Sequence, residues 1–164
     1  MVSAGRVWDR QLGCVPGAPF DYSIRSLQPA DLEGISRVHW RACRTAYRFM
    51  NWSYSEDQVR CWYAAKLAEW DWGRVVCARE SIVAHLAAIG AHIDQLFVDP
   101  EHQRGGLGSA LLRAMLERGL RPTTLHVFAQ NTPARVFYER FGFRQVGAWW
   151  DERDQALMLT LSAE

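Results

Sequence analysis

Three glycines lie between an apolar, strand-like run that ends at Val98 and an amphipathic helical pattern from Leu107 to Arg118. Glycine lets backbone N–H groups approach a ligand closely, and the N-terminus of the following helix adds the positive end of a dipole. Strand, glycine loop and helix in this order predict a binding site for a pyrophosphate. The whole segment reads Val98-Asp-Pro-Glu-His-Gln103-Arg104-Gly105-Gly106-Leu107-Gly108-Ser109.

Two well-known phosphate-binding motifs do not fit this loop. A dinucleotide-binding G-x-G-x-x-G opens an early strand–helix–strand unit, whereas these glycines come late in the chain and are spaced differently. A P-loop needs Gly-Lys followed by Ser or Thr, which the sequence lacks. A tight turn without a ligand is the remaining alternative.

Polar residues on the neighbouring strand-like segments could move protons. His92 and Asp94 fall on one face of the strand that ends at Val98, and His126 lies on the strand after the glycine-led helix. A histidine titrates near neutral pH and a carboxylate accepts protons, so each of the three is a candidate general base. A hydrogen-bonded structural residue is the alternative for each. His85, His92 and His126 lack the spacing of metal ligands, so we expect no metal site.

Hydrophobic periodicity predicts the elements that would position these residues. Strands are expected near 22–27, 74–79, 82–89, 93–98, 124–129, 143–147 and 156–161, and helices near 29–47, 55–70, 107–118 and 132–142. This order predicts an α/β (α+β) domain with a central mixed sheet of about seven strands and four helices on its two faces. The strands on either side of the third helix should run parallel, with a ligand at their carboxyl ends.

Composition indicates one ordinary globular domain. The 164 residues are 49% hydrophobic and 23% charged, with a net charge of +1, so we expect neither nucleic acid nor a membrane as a partner. Residues 1–20 carry charges and prolines unlike a signal peptide, and we expect an extension of uncertain order. Four scattered cysteines predict buried reduced thiols and a cytoplasmic location, namely Cys14, Cys43, Cys61 and Cys77.

Two segments resemble the signatures of the GNAT family of N-acetyltransferases. Gln103-Arg-Gly-Gly106-Leu-Gly108, after Leu96-Phe-Val98-Asp-Pro100, is similar to the family's acetyl-CoA loop. Asn131-Thr-Pro-Ala134-Arg-Val-Phe137-Tyr138-Glu-Arg-Phe-Gly142-Phe143 is similar to its second signature. The two occur in the family's order, and the resemblance extends from Tyr22 to about Leu161. It implies a GNAT-like domain over residues 21–162 that uses acetyl-CoA as a co-substrate and no metal.

The resemblance also implies roles for individual residues. Tyr138 would be the general acid that protonates the departing thiolate, with packing of its helix as the alternative. Asn131 would contact the pantetheine arm, with helix capping as the alternative. The pantetheine arm would also pair with backbone groups of Leu96, Phe97 and Val98, and the pyrophosphate would be held at Gln103, Arg104, Gly105, Gly106, Leu107, Gly108 and Ser109. No cysteine lies at the expected reaction centre, so the amine would attack directly in a ternary complex.

In this family the segment between the first two helices builds much of the acceptor pocket. Here it carries aromatic residues, among them Tyr47 and Trp52, with Arg44 and Arg48 nearby, which suits an amphipathic or anionic acceptor. Packing of the rings on the sheet is the alternative. Trp149-Trp150, expected in the last hairpin connection, would edge this pocket or form a homodimer contact.

We expect acetyl transfer to a primary amine of a small molecule. A protein N-terminus or a lysine side chain is the alternative acceptor. From a different functional class, a non-catalytic module that binds acyl-CoA as a sensor would show the same phosphate-binding loop.

Overall fold

The structure, a computed structural model, describes residues 22–164, so the expected extension over residues 1–20 and Cys14 lie outside it. The strands are β1 (Tyr22–Ser26), β2 (Trp72–Ala78), β3 (Ser81–Ile89), β4 (His92–Val98), β5 (Thr123–Phe128), β6 (Arg144–Asp151) and β7 (Ala156–Ala163). The helices are α1 (Leu32–Ala46), α2 (Glu56–Lys66), α3 (Leu107–Leu116) and α4 (Thr132–Glu139), with 3-10 turns at Pro29–Asp31 and Pro100–His102. No helix within residues 22–164 is long and apolar enough to cross a bilayer.

The seven strands form one mixed sheet in the order β1-β2-β3-β4-β5-β7-β6, which confirms the predicted fold class. β4 and β5 run parallel, as predicted for strands joined through α3. They pair only at His92–Thr124 and Ile93–Leu125. Beyond that point β4 stays on β3 as far as Val98, whereas β5 stays on β7 through Phe128. The two strands therefore diverge and leave a cleft at their carboxyl ends.

A β-bulge at Asp94 accounts for this divergence. Residues 87 and 88 of β3 pair with Gln95 and Ile93, which leaves Asp94 as an extra residue on β4. A bulge bends its strand and increases the local twist, so β4 turns away from β5 where their pairing ends. Residues 95–98 consequently have a backbone edge without a strand partner on the β5 side.

Apolar side chains on both sheet faces hold the helices in place. On one face α3 and α4 bury Leu107, Leu111, Leu112, Met115 and Tyr138. On the other face α1 and α2 bury Ile35, Val38, Val59 and Tyr63. α1 lies very close to β3 because Gly34 has no side chain: a Cβ there would be 2.8 Å from Ile82 Cδ1.

The end of α2 differs from the predicted boundary. The helix begins at the predicted Ser55–Gln58 capping box, in which both hydrogen bonds form, but it ends at Lys66 rather than reaching Trp70. Trp70 leaves the helix because its indole is buried and donates a hydrogen bond to Asp94 Oδ2 at 2.8 Å. Residues 72 and 73, predicted to close the helix, belong to β2 instead.

Two further details of the prediction are wrong. Trp149-Trp150 lies within β6 rather than in the hairpin connection, because the ladder with β7 continues to the pair Asp151–Ala156. Cys61 is exposed rather than buried.

Candidate functional site

A cleft of about 1140 Å³ opens where β4 and β5 diverge. The loop half of the cleft comprises the strand edge at residues 95–98, the loop at 103–109 and α4. The aromatic half comprises α1, the segment at residues 47–55, the side chains of β4 and β5 that face α1, and the β6–β7 turn. Every site residue predicted from the sequence lines this cleft except Gly105.

Backbone N–H groups of the loop half are available to a ligand. From residue 103 to residue 109, none donates a hydrogen bond to any residue in the described part of the chain. The first α3 N–H that does so belongs to Ala110, which bonds to the carbonyl of Gly106 at 2.9 Å. Gly106 has φ +81° and Arg104 has φ +63°, so the loop curls through two left-handed residues. Such a curl at a helix N-terminus gathers N–H groups into a concave anion site.

The strand edge beside this loop is open along residues 95–98. β5 does not pair there, so backbone groups on that side can bond to an extended ligand, as an added strand would. Gln103 ties the loop to this edge, because its Nε2 donates to the carbonyl of Val98 at 3.2 Å. Asn131 lines the same half while its Oδ1 accepts from Ala134 N at 3.3 Å. The capping role of Asn131 is thus confirmed, and its contact with a ligand stays a prediction.

Tyr138 lies in the cleft wall with its ring buried. The residue is only 8% exposed and packs edge-on against Phe137 and Phe143, so the packing role is present. Its hydroxyl makes no hydrogen bond with a side chain of residues 22–164. Burial raises the pKa of the phenol above its usual value, so the group stays protonated at neutral pH. A buried ring with an uncommitted, protonated hydroxyl can donate to a ligand atom.

Two paired histidines mark the start of the divergence between β4 and β5. The rings of His92 and His126 are 4.8 Å apart. Thr124 Oγ1 lies 2.9 Å from Nδ1 of His92, and Thr160 Oγ1 lies 3.2 Å from Nδ1 of His126. Burial, with His126 as the next cause, lowers the pKa of His92, which is therefore neutral at neutral pH. In the tautomer in which Nδ1 donates to the threonine hydroxyl, Nε2 is the nitrogen that can accept a proton.

Asp94, the third candidate base, lies at the bulge and also lines the cleft. Its Oδ2 accepts from Trp70 Nε1 at 2.8 Å and, at a long 3.4 Å, from Gln95 Nε2. No ion pair between residues of the described chain includes this carboxylate. Asp94 is therefore an anchored carboxylate without a basic partner in the cleft wall.

A buried chain of three residues, His39, Tyr63 and His85, was not foreseen from the sequence. Tyr63 Oη lies 2.8 Å from His39 Nδ1 and 2.8 Å from His85 Nε2, while His39 lines the cleft with its ring against Phe97. Burial lowers the pKa of both histidines to about 3, so both are neutral. His39 falls between Val38 and Ala42 on the predicted apolar stripe of α1, and that position was the available signal.

The unpaired nitrogen of His85 favours one set of tautomers for this chain. Nδ1 of His85 is buried without a partner, and an unpaired N–H is the costlier state for a buried nitrogen. His85 then carries its proton on Nε2 and donates to Tyr63, and Tyr63 donates to His39 Nδ1. His39 consequently carries its proton on Nε2 and acts in the cleft wall as a neutral donor.

Aromatic rings from the segment at 47–55 form one wall of the aromatic half. Tyr47 and Trp52 line the cleft, and the Tyr47 ring packs edge-on against Phe128 at 5.0 Å. Arg44 and Arg48 are exposed and lie outside the cleft lining, and the guanidinium of Arg44 stacks on a tryptophan of its own helix. The arginines that suggested an anionic acceptor therefore do not reach the site.

The segment at 47–55 meets the β6–β7 turn across the aromatic half. Tyr54 Oη donates to Asp154 Oδ1 at 3.0 Å. Arg153 Nε donates to Tyr54 Oη at 3.2 Å, and its guanidinium lies 5.3 Å from the centre of the Tyr54 ring. All three residues line the cleft. The sequence gives no signal for Asp154, because it meets Tyr54 across 100 positions of chain.

His85 is one of the three histidines whose spacing in the sequence argues against a metal site. His85 lies behind Tyr63 and away from the His92–His126 pair. Within residues 22–164, no group of three or more histidine, cysteine, aspartate or glutamate side chains could hold a metal ion.

Comparison with known proteins gives the same family that the two signatures resemble. The Acetyltransferase (GNAT) family matches residues 30–143. The uncharacterized N-acetyltransferase YafP of Escherichia coli (strain K12) is 31% identical over 143 residues, which cover 77% of this chain and 89% of that protein. A mycothiol acetyltransferase of Catenulispora acidiphila is 34% identical over 104 residues, which cover 59% of this chain but 31% of that longer protein.

The peptidyl-lysine N-acetyltransferase YjaB of Escherichia coli (strain K12) is similar in both sequence and structure. It is 30% identical over 128 residues, covering 76% of this chain and 84% of YjaB. The solution structure of apo-form YjaB superposes with a TM-score of 0.72 at 25% identity, covering 86% of this chain and 96% of that one. Because the family match spans well over half of the chain, this protein belongs to the GNAT family and is an N-acetyltransferase.

Proposed function

We propose that the protein transfers the acetyl group of acetyl-CoA directly to a primary amine of a small molecule. The loop half would bind the donor and the aromatic half the acceptor. One observation carries this assignment: the free N–H groups at 103–109 adjoin an unpaired strand edge, in a cleft that also contains the uncommitted hydroxyl of Tyr138. A diphosphate, a pantetheine amide and a leaving thiolate need these three features.

The loop half suits the donor in charge as well as in shape. Arg104 and Arg140 line it, and both are exposed enough to approach phosphate oxygens. The open backbone edge at Leu96–Val98 would bond to the pantetheine arm, and an N–H there would polarise the thioester carbonyl. Backbone donors cost no reorganisation during the reaction, because β4 is already fixed to β3.

Two protons must move for the transfer to be complete. The amine nitrogen forms a bond to the carbonyl carbon, the carbon–sulfur bond breaks, and the sulfur takes a proton from Tyr138 Oη. The nitrogen loses its extra proton to Nε2 of His92 or His126, or to Asp94. His92 suits the task because it is neutral when the amine arrives. The phenolate left on Tyr138 recovers its proton quickly, since burial disfavours its charged form.

The closed aromatic half supports a small acceptor. The hydrogen bond from Tyr54 to Asp154 joins two segments across this half, whereas a polypeptide acceptor would need an open groove. The name of the mycothiol acetyltransferase is consistent with a small acceptor. The peptidyl-lysine activity named for YjaB makes a lysine side chain the second candidate.

The proposed function is tested by calorimetry and by thiol release. Acetyl-CoA should bind to the purified protein, and free thiol should appear when amines from a broad panel are added. The panel should include lysine-containing peptides and N-terminal peptides beside small amines, and longer acyl-CoA donors should run in parallel. Absence of heat with acetyl-CoA would contradict the assignment of the loop half. Binding without thiol release from any amine would instead favour the non-catalytic sensor.

A further inference from the structure

The aromatic half of the cleft carries two carboxylates that lie outside any ion pair of the described residues. Asp94 and Asp154 both line it, and neither takes part in an ion pair within residues 22–164. They come from different elements, β4 and the β6–β7 turn. Asp94 adjoins the candidate bases, so it lies where the reacting amine would lose its proton. Asp154 has no such neighbour and needs a different explanation.

Arg153 is the basic side chain that faces Asp154, and the two charges attract each other. The Arg153 Nε donates to Tyr54 Oη and the guanidinium stacks on the Tyr54 ring, so Arg153 makes no direct ion pair with Asp154. Asp154 Oδ1 accepts from Tyr54 Oη, and Oδ2 makes no hydrogen bond within the described chain. One carboxylate oxygen is therefore held in place by a phenol while the other is uncommitted.

Two histidines of the aromatic half, His39 and His92, add no positive charge beside these carboxylates. Burial lowers the pKa of His39 to about 3, and burial together with His126 lowers the pKa of His92. Both imidazoles are therefore neutral at neutral pH. The Arg44 and Arg48 side chains lie outside the cleft lining.

Apolar rings lie next to Asp154. The Tyr54 ring is 5.5 Å from the Trp52 ring, and Trp52 is 6.5 Å from the Tyr47 ring. All three residues line the cleft. Rings of this kind pack against methylene groups and attract cations over their faces.

We propose that the acceptor carries a second positive charge, separated from its reacting amine by an apolar chain, and that Asp154 binds this charge. Trp52 and Tyr54 pack against the chain, and the reacting amine lies near Asp94 and His92. The class is that of a diamine or a related dication. This inference rests on the proposed function, because it takes the aromatic half as the acceptor site.

Matched amines test the inference directly. Cadaverine and hexylamine have the same length but differ in the second charge, and 5-aminovalerate carries a negative charge in its place. With diamines of three to eight carbons as a length series, the best diamine should exceed its matched alkylamine by about tenfold in kcat/KM. The aminocarboxylate should be the poorest acceptor. Equal kcat/KM for the diamine and the alkylamine would overturn the inference while leaving acetyl transfer intact.

Variants of the β6–β7 turn complete the test. Asp154→Asn should reduce the diamine-to-alkylamine ratio to near one, whereas Glu152→Gln removes a charge from the same turn outside the cleft and should leave the ratio unchanged. Asp154→Lys should make 5-aminovalerate the preferred acceptor, a gain that misfolding cannot produce. An unchanged ratio in Asp154→Asn would overturn the role of Asp154. Acetyl-CoA binding without turnover of any amine would instead overturn the proposed function, and the inference with it.

Discussion

The two halves of the cleft present different kinds of groups to a ligand, backbone groups in one half and side chains in the other. The loop half is made of backbone: free N–H groups at 103–109, an unpaired strand edge at 95–98 and a helix N-terminus. The aromatic half is made of side chains from α1, the segment at residues 47–55, β4, β5 and the β6–β7 turn. Backbone binds what every donor of one kind shares, and side chains bind what distinguishes one acceptor from another. Mutations in the two halves should therefore affect different kinetic constants.

The loop half and the aromatic half also differ in their charged groups. The loop half offers Arg104, Arg140 and the positive end of α3 to an anion. The aromatic half carries the carboxylates Asp94 and Asp154 together with one arginine, Arg153. An acceptor with the second positive charge proposed above would be attracted to these carboxylates, whereas an anionic donor would be attracted to the loop half.

The largest effect is expected from Tyr138→Phe. Loss of the proton donor should lower kcat at least a hundredfold, because general acid catalysis typically contributes about 10²–10⁴ in rate. The dissociation constant of acetyl-CoA should change little, since the ring still packs against Phe137 and Phe143. Stopped-flow detection of free thiol measures the rate, and calorimetry measures binding.

The pH dependence of kcat in the unmodified enzyme gives a second test of the role of Tyr138. Tyr138 is active while protonated, and its raised pKa keeps it protonated over the neutral and moderately alkaline range. No alkaline decline in kcat due to Tyr138 should therefore appear below about pH 10, the usual pKa of a phenol. A hundredfold loss confined to acetyl-CoA affinity, with kcat preserved, would assign Tyr138 to packing alone.

The loop half could be predicted from the sequence because its parts are contiguous. Residues 93–118 encode strand, turn and helix in one run, and backbone N–H groups need only glycine and the left-handed region to converge. The parallel β4–β5 pair followed from the handedness and length of the crossover through α3. The bulge at Asp94 could not be foreseen, because a bulge depends on the register with β3 rather than on its own residues.

The aromatic half could be predicted only in outline. Tyr47 and Trp52 were identified by residue type, but Asp154 and His39 acquire their significance from partners far away in the sequence. Arg44 does not reach the acceptor pocket, for a local reason. Because α1 continues to Ala46, Arg44 lies on the helix and its guanidinium stacks on Trp40. Side-chain sites assembled from distant elements require the tertiary structure before their charge can be counted.

A smaller, pH-dependent effect is expected from His126→Gln. The neutral form of His92 is the proposed base, so kcat/KM should fall as pH drops through the pKa of His92. Burial and His126 both lower that pKa, which places the acid limb below pH 6.5 in the unmodified enzyme. Removing His126 should raise the pKa of His92 and move the limb upward only in part, because burial is the larger cause and remains.

Arg140→Gln is the matched control from the loop half. It removes a charge from the cleft without touching the histidine pair, so acetyl-CoA should bind more weakly while the acid limb stays in place. A limb that moves equally in both variants would mean that the proton acceptor lies outside the His92–His126 pair.

The smallest effect is expected from Arg104→Gly, and it separates strain from binding within the loop half. Arg104 holds φ +63°, a conformation that glycine adopts without steric cost, but glycine also gains more entropy on unfolding. The net gain in unfolding free energy should be about 0.5 kcal/mol, read from urea denaturation. Acetyl-CoA should bind severalfold more weakly because a phosphate partner is lost.

Arg79→Gly offers the control, since Arg79 has φ +55° in the β2–β3 turn, away from the cleft. It should gain similar stability with unchanged acetyl-CoA binding. If Arg104→Gly loses stability while Arg79→Gly gains it, the side chain of Arg104 rather than its backbone strain organises the loop, and the contrast between a backbone half and a side-chain half is wrong at that residue.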